Sequence, residues 1–564
     1  MSDTAISGHG GHHVVAVARA YGARTLFTLS GAHIFPLYDA AVGGRQGFEA
    51  AGDARTAERG GTLRLVDVRH ESSAVFAAEA TGRLTRSPGF AAVTAGPGVT
   101  NSVSGLASGL FNGAPMVVVG GRAPEARWGS GSLQEFEHRT LVGPVVKAAS
   151  TLKDPATIAA GTADAFRLAL APHRGPVFLD IPMDVFYATA RAEPPVVAQP
   201  VPRAPDASAL DRAAAVVAAA RAPVIVLSSD VWAGRAEGPA QDLVVELGLP
   251  TILTGLGRGL LPPGHPNLVT RARSSAFAGA DVVVVVGAPL DFRLGYGIFG
   301  SPASPARVVH LTDSSDHHRR PDTVEVTVRG DLSLALRGLA QRLAPTGTAA
   351  VPEWLAGLRS ADRAARVRDA DLLASTADPI HPARIYGELL PRLADDAVTI
   401  GDGGDFVSFA GKYVEPARPG SWLDPGPFGC LGTGLGYAIG ARVARPDAQV
   451  TLLLGDGAAG FSLMDVDTLV RHDLPVVMIV GNNSGWGLER GPMRMLHGYD
   501  VVAKLAPSTR YDEVVRALGG AGELVTDPGQ IGPALDRAYA SGVPYLVNVI
   551  TDPDAAYPRS TTGI

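Results

Sequence analysis

The chain is 564 residues long and carries 49 Lys and Arg against 55 Asp and Glu, a formal net charge of −6. That length holds roughly three or four domains of about 150 residues each, and the mild charge, with no dense basic run, argues against a nucleic-acid partner. The single cysteine, Cys430, excludes an intrachain disulfide and suits a reducing cytoplasm; the lack of a long apolar run, or of a charged-then-apolar leader in residues 1–13, argues against a membrane span or secretion.

In chain order, residues 25–29 read as a buried strand followed by the loop Ala32-His33-Ile34. Residues 63–68 are strand-like and close on Arg69-His70-Glu71, which opens an Ala-rich helix at 72–84. Val93-Thr94-Ala95-Gly96-Pro97-Gly98-Val99-Thr100-Asn101 follows, then the polar segment Ser132-Leu133-Gln134-Glu135 and a strand at 176–182. Residues 192–205 are proline-rich and aperiodic, the mark of a linker, so the first domain is expected at 1–190.

A second unit is expected at 206–344, where strand-like runs at 224–227, 251–253, 282–286 and 308–311 alternate with helical stretches. Its strand ends carry polar residues: Asp291 and Arg293 after Gly287-Ala288-Pro289, Asp313 after Leu311-Thr312, and Asp331 after Arg329-Gly330. An α/β sheet holds nucleotides at such ends, with an acid accepting ribose or adenine hydrogen bonds, although domains without a ligand carry similar turns. Residues 345–375 read as a loop and a charged helix. A third unit is expected at 376–557, with a polar tail at 558–564.

The third unit holds the most specific pattern. Leu452-Leu453-Leu454 reads as a buried strand ending in Gly455-Asp456-Gly457, where glycines allow a tight turn and close approach of the backbone to an anion. A helix-length segment at 461–472 and a strand at 474–481 then bring Asn482-Asn483-Ser484-Gly485 to the same carboxyl edge of a parallel sheet. Asp456, Asn483 and Gly485 together offer oxygen ligands for a hard Mg²⁺ that carries a diphosphate. That pairing points to thiamine diphosphate, whose activation requires a buried carboxyl group at its pyrimidine ring. Glu71 is the candidate, its alternative being an acid that stabilises a helix N-terminus.

With Arg69-His70-Glu71, Gly96-Pro97-Gly98 and Thr100-Asn101 upstream, and Gly455-Asp456-Gly457 and Asn482-Asn483 downstream, the sequence resembles the thiamine-diphosphate-dependent decarboxylase and acetolactate synthase superfamily. Pro427-Phe428-Gly429-Cys430-Leu431-Gly432-Thr433-Gly434 and Trp486-Gly487-Leu488-Glu489-Arg490 look most like the 2-hydroxyacyl-CoA lyases within it, particularly the actinobacterial type. The resemblance covers nearly the whole chain. It implies three doubly wound parallel-sheet α/β domains (pyrimidine-binding, central nucleotide-binding-like and diphosphate-binding), the first and third sharing a topology. It also implies a homodimer or homotetramer whose active sites lie between subunits.

The same resemblance implies roles for further residues. Leu431 supports the thiamine from below, His33 lies in a loop over the thiazolium, and Gln134 approaches the reacting group. Lys412 and Arg559 would contact a CoA thioester, the tail at 558–564 would act as a lid, and the central domain would hold ADP in preference to FAD. His33, Gln134, Lys412 and the tail have plainer alternatives: a packed loop histidine, an exposed glutamine, a solvated lysine, a disordered end. Glu489 lies six residues beyond Asn483, at an expected helix start. A lyase that breaks a 2-hydroxyacyl-CoA needs a base for the 2-hydroxyl proton, and Glu489 can supply one, unless an ion pair with Arg490 or Arg494 engages it. The expected reaction releases formyl-CoA and an aldehyde or ketone. Oxalyl-CoA decarboxylase and acetolactate synthase chemistry are the alternatives, and a non-catalytic nucleotide-sensing scaffold is a more distant one.

Overall fold

Residues 5–314, 322–344 and 351–557 are described in the computed structural model. The expected lid at 558–564, with Arg559, lies outside the described residues.

Three parallel sheets follow one another along the chain. The first has six strands in the order Arg64–Asp67, Thr25–Thr28, Gly89–Val93, Met116–Arg122, Pro176–Pro182, Ala148–Thr151. The third, also six-stranded, runs Trp422–Leu423, Val398–Asp402, Val450–Gly455, Val477–Asn482, Tyr545–Ile550, Ala521–Val525. In each sheet the first strand in sequence is second in space and the last two are exchanged, so the two sheets share one topology. The central sheet has five strands, Thr251–Leu253, Pro223–Leu227, Val282–Val286, Arg307–Thr312 and Val324–Arg329.

Strands buried on both faces read as unbroken apolar runs, because alternate side chains enter separate cores. Val282, Val284 and Val286 pack into one core of the central sheet and Val283 and Val285 into the other. Met116 and Val118 likewise face one core of the first sheet while Val117 and Val119 face its opposite. The core that takes Met116 and Val118 also takes Leu452, Leu454 and Met478 of the third sheet. The first and third domains therefore share a hydrophobic core across the helices Glu71–Thr85 and Thr433–Ala444. Gly440 permits that crossing: a Cβ there would lie 2.3 Å from the Ala77 carbonyl oxygen, and such overpacking costs about 1–3 kcal/mol. Glu79, fully buried in the seam, accepts hydrogen bonds from Tyr437 at 2.7 Å and Asn112 at 2.8 Å and pairs with Arg83.

Two local departures from the expected elements have clear causes. The segment 461–472 is broken into the helices Asp456–Ser462 and Val466–Arg471 by a turn at Leu463–Asp465. There Asp465 turns inward to accept Arg69 N at 2.8 Å and Ser73 Oγ at 2.5 Å. The first domain runs on to Ala192, because Thr189–Ala192 pairs antiparallel with Ile6–His9.

Candidate functional site

The carboxyl edge of the first sheet gathers Glu71, His33 and Gln134 around the segment from Thr94 to Asn101. Glu71 opens its helix directly after the Arg64–Asp67 strand and is 7% exposed. Asn101 Nδ2 donates to Glu71 Oε2 at 3.0 Å. At the other end of the segment, His33 Nδ1 lies 3.1 Å from Thr94 Oγ1, and burial together with the neighbouring His138 lowers the imidazole pKa. Gly96 adopts φ 57° and ψ −111°, and a Cβ there would meet Gln134 Cβ at 2.9 Å. Gln134 packs on this turn and itself has φ 60°.

A buried relay holds the turn. Gly96 N donates to His138 Nε2 at 3.0 Å, which leaves the proton of the neutral imidazole on Nδ1, facing Asp180 Oδ2 at 3.2 Å. Arg122 donates to the same oxygen at 3.2 Å and stacks on Trp128, its guanidinium carbon 3.5 Å from the ring centroid. Sequence reading missed His138 and Asp180, which stand 42 residues apart; no local spacing joins them.

The carboxyl edge of the third sheet opens on a cavity of about 470 Å³. Asp456 lines it from the end of the Val450–Gly455 strand. Its Oδ1 accepts Gly457 N at 2.9 Å and its Oδ2 accepts Gly485 N at 3.0 Å, so the acidic turn and the amide turn are hydrogen-bonded to each other. Burial pushes the Asp456 carboxyl up to about 6, against the pull of those N–H groups. Each oxygen keeps a further lone pair for a cation.

The two asparagines have separate tasks. Asn482, 1% exposed, donates to Thr509 O and Asn548 Oδ1, both at 3.2 Å, and fastens the strand end. Asn483 and Gly485 line the cavity. Leu431 lines it too, held by Asp402, which accepts Gly432 N at 3.2 Å and Gly434 N at 2.7 Å. Asp402 is fully buried and its carboxyl is pushed up to about 7.

Glu489 stands in the first turn of the helix Gly487–His497, exposed at the cavity wall. Arg490 and Arg494 do not engage it: both pair with Asp500 and Asp554. Gly403, Gly404, Gly455, Gly457 and Gly487 also line the cavity, where missing side chains leave backbone open to a ligand.

A second cavity, of about 440 Å³, shares Arg258, Arg293, Gly411 and Asp424 with the first. Arg271, Arg273 and Lys412 line it as well. Lys412 pairs with Asp369 at 2.6 Å, Arg271 contacts the same carboxylate, and Arg293 forms a two-pronged pair with Asp291. Among the described residues, Arg258 and Arg273 have no carboxylate partner: Arg258 is held by the Gly411 and Val414 carbonyls, Arg273 by that of Arg293. Burial and the neighbouring Arg258 and Arg293 bring the Arg273 pKa down to about 10. Of the four strand-end residues expected to meet a nucleotide, Asp291 and Arg293 line this cavity. The other two are placed elsewhere: Asp313 pairs with Arg174 of the first domain at 3.0 Å, and Asp331 caps the helix Leu332–Leu343 through Leu334 N at 2.9 Å.

One edge thus carries a buried carboxylate and the other a glycine-lined cavity with Asp456 on its wall, and comparison with known proteins assigns both to thiamine-binding domains. Models of the thiamine pyrophosphate enzymes match in all three domains: the N-terminal TPP binding domain at residues 8–141, the central domain at 210–339 and the C-terminal TPP binding domain at 402–549. The chain belongs to the thiamine pyrophosphate enzyme family. It is 45% identical over 555 residues to a probable acetolactate synthase of Mycobacterium bovis and to the acetolactate synthase large subunit IlvG of Mycobacterium tuberculosis, covering 98% of this chain and 97% of each relative. It is 34% identical over 600 residues to 2-hydroxyacyl-CoA lyase 2 of Homo sapiens, covering 97% of this chain and 91% of that protein. No helix among the described residues is long and apolar enough to cross a membrane.

Proposed function

We propose that this thiamine pyrophosphate enzyme is a carbon–carbon lyase that cleaves 2-hydroxyacyl-CoA to formyl-CoA and an aldehyde or ketone. The observation that carries the substrate class is the second cavity. Arg258 and Arg273 are partly desolvated there with no carboxylate in ion-pair contact, Asp424 and Glu415 acting on Arg258 only from a distance, an arrangement that an anion in the cavity would complete. The cavity borders the one lined by Asp456 and Glu489, with which it shares Arg258, Arg293, Gly411 and Asp424. A CoA thioester would span these neighbouring spaces with its phosphates on the arginines and Lys412 and its acyl end beside Glu489. ADP, in preference to FAD, is the alternative occupant of the arginine-rich cavity, with Asp291 toward its ribose.

Asp456, Asn483 and Gly485 would hold Mg²⁺, which would tie the diphosphate to the carboxyl edge of the third sheet. When bound, the cofactor supplies a stabilised carbanion equivalent at its thiazolium. Glu71, fixed by the hydrogen bond from Asn101, would exchange a proton with the pyrimidine ring. Leu431, on the cavity wall, would support the cofactor from below, and Trp486, packed on Gly457, closes the turn. His33 and Gln134 orient the substrate. Glu489 takes the 2-hydroxyl proton as the C1–C2 bond breaks; the carbonyl product leaves, and the electron pair stays with the thioester carbon, which is protonated to formyl-CoA.

The residues lining the Asp456 cavity all come from the central and third domains, none from the first. The start of the Glu71 helix is instead docked on Asp465 of its own chain. Glu71, Gln134 and His33 therefore complete the site from a second subunit, in a homodimer or a homotetramer.

The acetolactate synthase reading is favoured by the names of the relatives at 45% identity. Glu489 counts against it, since a carboxylate at the wall repels the carboxylate of a 2-oxo acid. Product analysis with 2-hydroxyacyl-CoA, oxalyl-CoA and pyruvate tests the proposal. Formyl-CoA from the first substrate is expected as the dominant product; acetolactate from pyruvate, or CO₂ from oxalyl-CoA, as the dominant product overturns it.

A further inference from the structure

The first domain carries a group of side chains that the thiamine chemistry does not use. His9 is the N-cap of the helix Gly10–Ala20 and His12 stands three residues on, the two positions whose side chains converge in a capping box. Their rings lie 4.1 Å apart between centroids. Gly8, at φ 136°, leaves room for the His12 ring: a Cβ there would lie 2.7 Å from His12 Nδ1. The helix Phe35–Val42 crosses so closely at Gly11 that a Cβ would meet the Pro36 carbonyl oxygen at 1.9 Å. One turn on, Asp39 is thereby brought over both histidines, its Oδ2 2.9 Å from His9 Nε2 and 3.9 Å from His12 Nε2.

We infer that His9, His12 and Asp39 form a binding site for a borderline divalent cation of the zinc class, separate from the diphosphate site. One ligand atom from each residue lies within 4.8 Å of the others, so small side-chain movements reach the roughly 3.3 Å ligand spacing of a tetrahedral ion with bonds near 2 Å. Two imidazoles and one carboxylate select Zn²⁺, Co²⁺ or Ni²⁺ over Mg²⁺ and Ca²⁺, and the partial exposure of all three leaves the fourth position to water. His9 Nδ1 now accepts Gly11 N at 3.2 Å, so its proton sits on Nε2 toward Asp39. On binding, that proton moves to Nδ1 and the Gly11 contact is lost. Losing one cap hydrogen bond is a small change beside a metal bond set. The ion clamps the N-terminus of one helix to the segment that begins at Ala32–Ile34 and carries His33.

Cobalt(II) titration of the full chain, with Mg²⁺ and thiamine diphosphate at saturation, tests this by visible absorption. The four-coordinate spectrum should appear and saturate at one ion per chain. His12→Ala and Asp39→Asn should each weaken it at least about tenfold, with unchanged circular dichroism. Asp39 is half exposed, so its variant keeps the test open should the histidine variant misfold. Absence of a saturating spectrum in the parent, or an unchanged titration in the folded Asp39 variant, overturns the inference.

Discussion

Gly485 N donates to Asp456 Oδ2 at 3.0 Å, joining two turns that lie 29 residues apart in the chain. The bond sets the mutual position of the acidic and amide turns before any cation arrives. Asp456→Ala removes both the anchor and the only carboxylate of the proposed cation set, so cofactor binding should weaken by at least about 100-fold and demand far more Mg²⁺. Fluorescence titration with thiamine diphosphate at several Mg²⁺ concentrations checks this. Superimposable curves for variant and parent remove Asp456 from the cation site.

Glu71→Gln keeps a side chain for Asn101 to meet but cannot hold the exchangeable carboxyl proton. Turnover should fall by a factor of about 10³ or more, a loss of roughly 4 kcal/mol in transition-state stabilisation, while diphosphate affinity changes little. Steady-state rates at saturating cofactor decide it, and near-parental activity contradicts the role.

The paired asparagines should respond in opposite ways. Asn482→Ala leaves the buried Asn548 Oδ1 without its donor, while Thr509 O keeps Asn548 Nδ2 at 2.9 Å, and should cost about 1–3 kcal/mol of stability. Asn483→Ala should leave the denaturation midpoint nearly unchanged and raise the cofactor requirement. Urea melts of both variants, beside cofactor titrations, separate the two; a destabilised Asn483 variant with normal binding reverses the assignment.

Much of this arrangement was legible in the sequence where one short stretch carries its own reason. Val282–Val286 reads as a strand because both faces are buried. Gly455-Asp456-Gly457 reads as an anion turn because the chemistry needs an acid between residues without side chains. The supports of the site were not legible. Asp402, His138, Asp180 and Asp465 gain their partners only when distant segments meet: Asp402 with Gly434 across 32 residues, Asp465 with Ser73 across 392. An aspartate in a strand or a helix carries no sign of such a partner. Asp313 and Asp331 show the converse: sheet-end acids with the right spacing, occupied by an interdomain ion pair and a helix cap.

Asp402 also gives a pH dependence. Its folded-state pKa is raised from 3.8 to about 7 by burial, so the folded state holds its proton more tightly than the unfolded state. The associated stability is fully present below about pH 4 and is lost as pH rises through 7, at up to roughly 1.4 kcal/mol per pH unit within that window. Asp402→Asn cannot titrate, so parent stability minus variant stability should decline between pH 4 and 7 and level off above. A difference that is flat across this range in urea denaturation shows that Asp402 does not titrate there.

The subunit arrangement has a direct complementation test. Mixed and reassembled Glu71→Ala and Asp456→Ala chains should recover up to about a quarter of parental activity, since half of random dimers are mixed and each holds one intact site. Sites built within single chains would recover none.

The central claim is that the enzyme breaks the C1–C2 bond of a 2-hydroxyacyl-CoA. The most direct measurement supplies 2-hydroxyacyl-CoA and pyruvate together, at equal concentration with cofactor and Mg²⁺ saturating, and follows formyl-CoA, aldehyde and acetolactate by mass spectrometry. Formyl-CoA and aldehyde in equal amounts, formed at least about 100-fold faster than acetolactate and suppressed by Glu489→Gln, are the predicted result. Acetolactate as the dominant product, with the thioester left intact, contradicts the account.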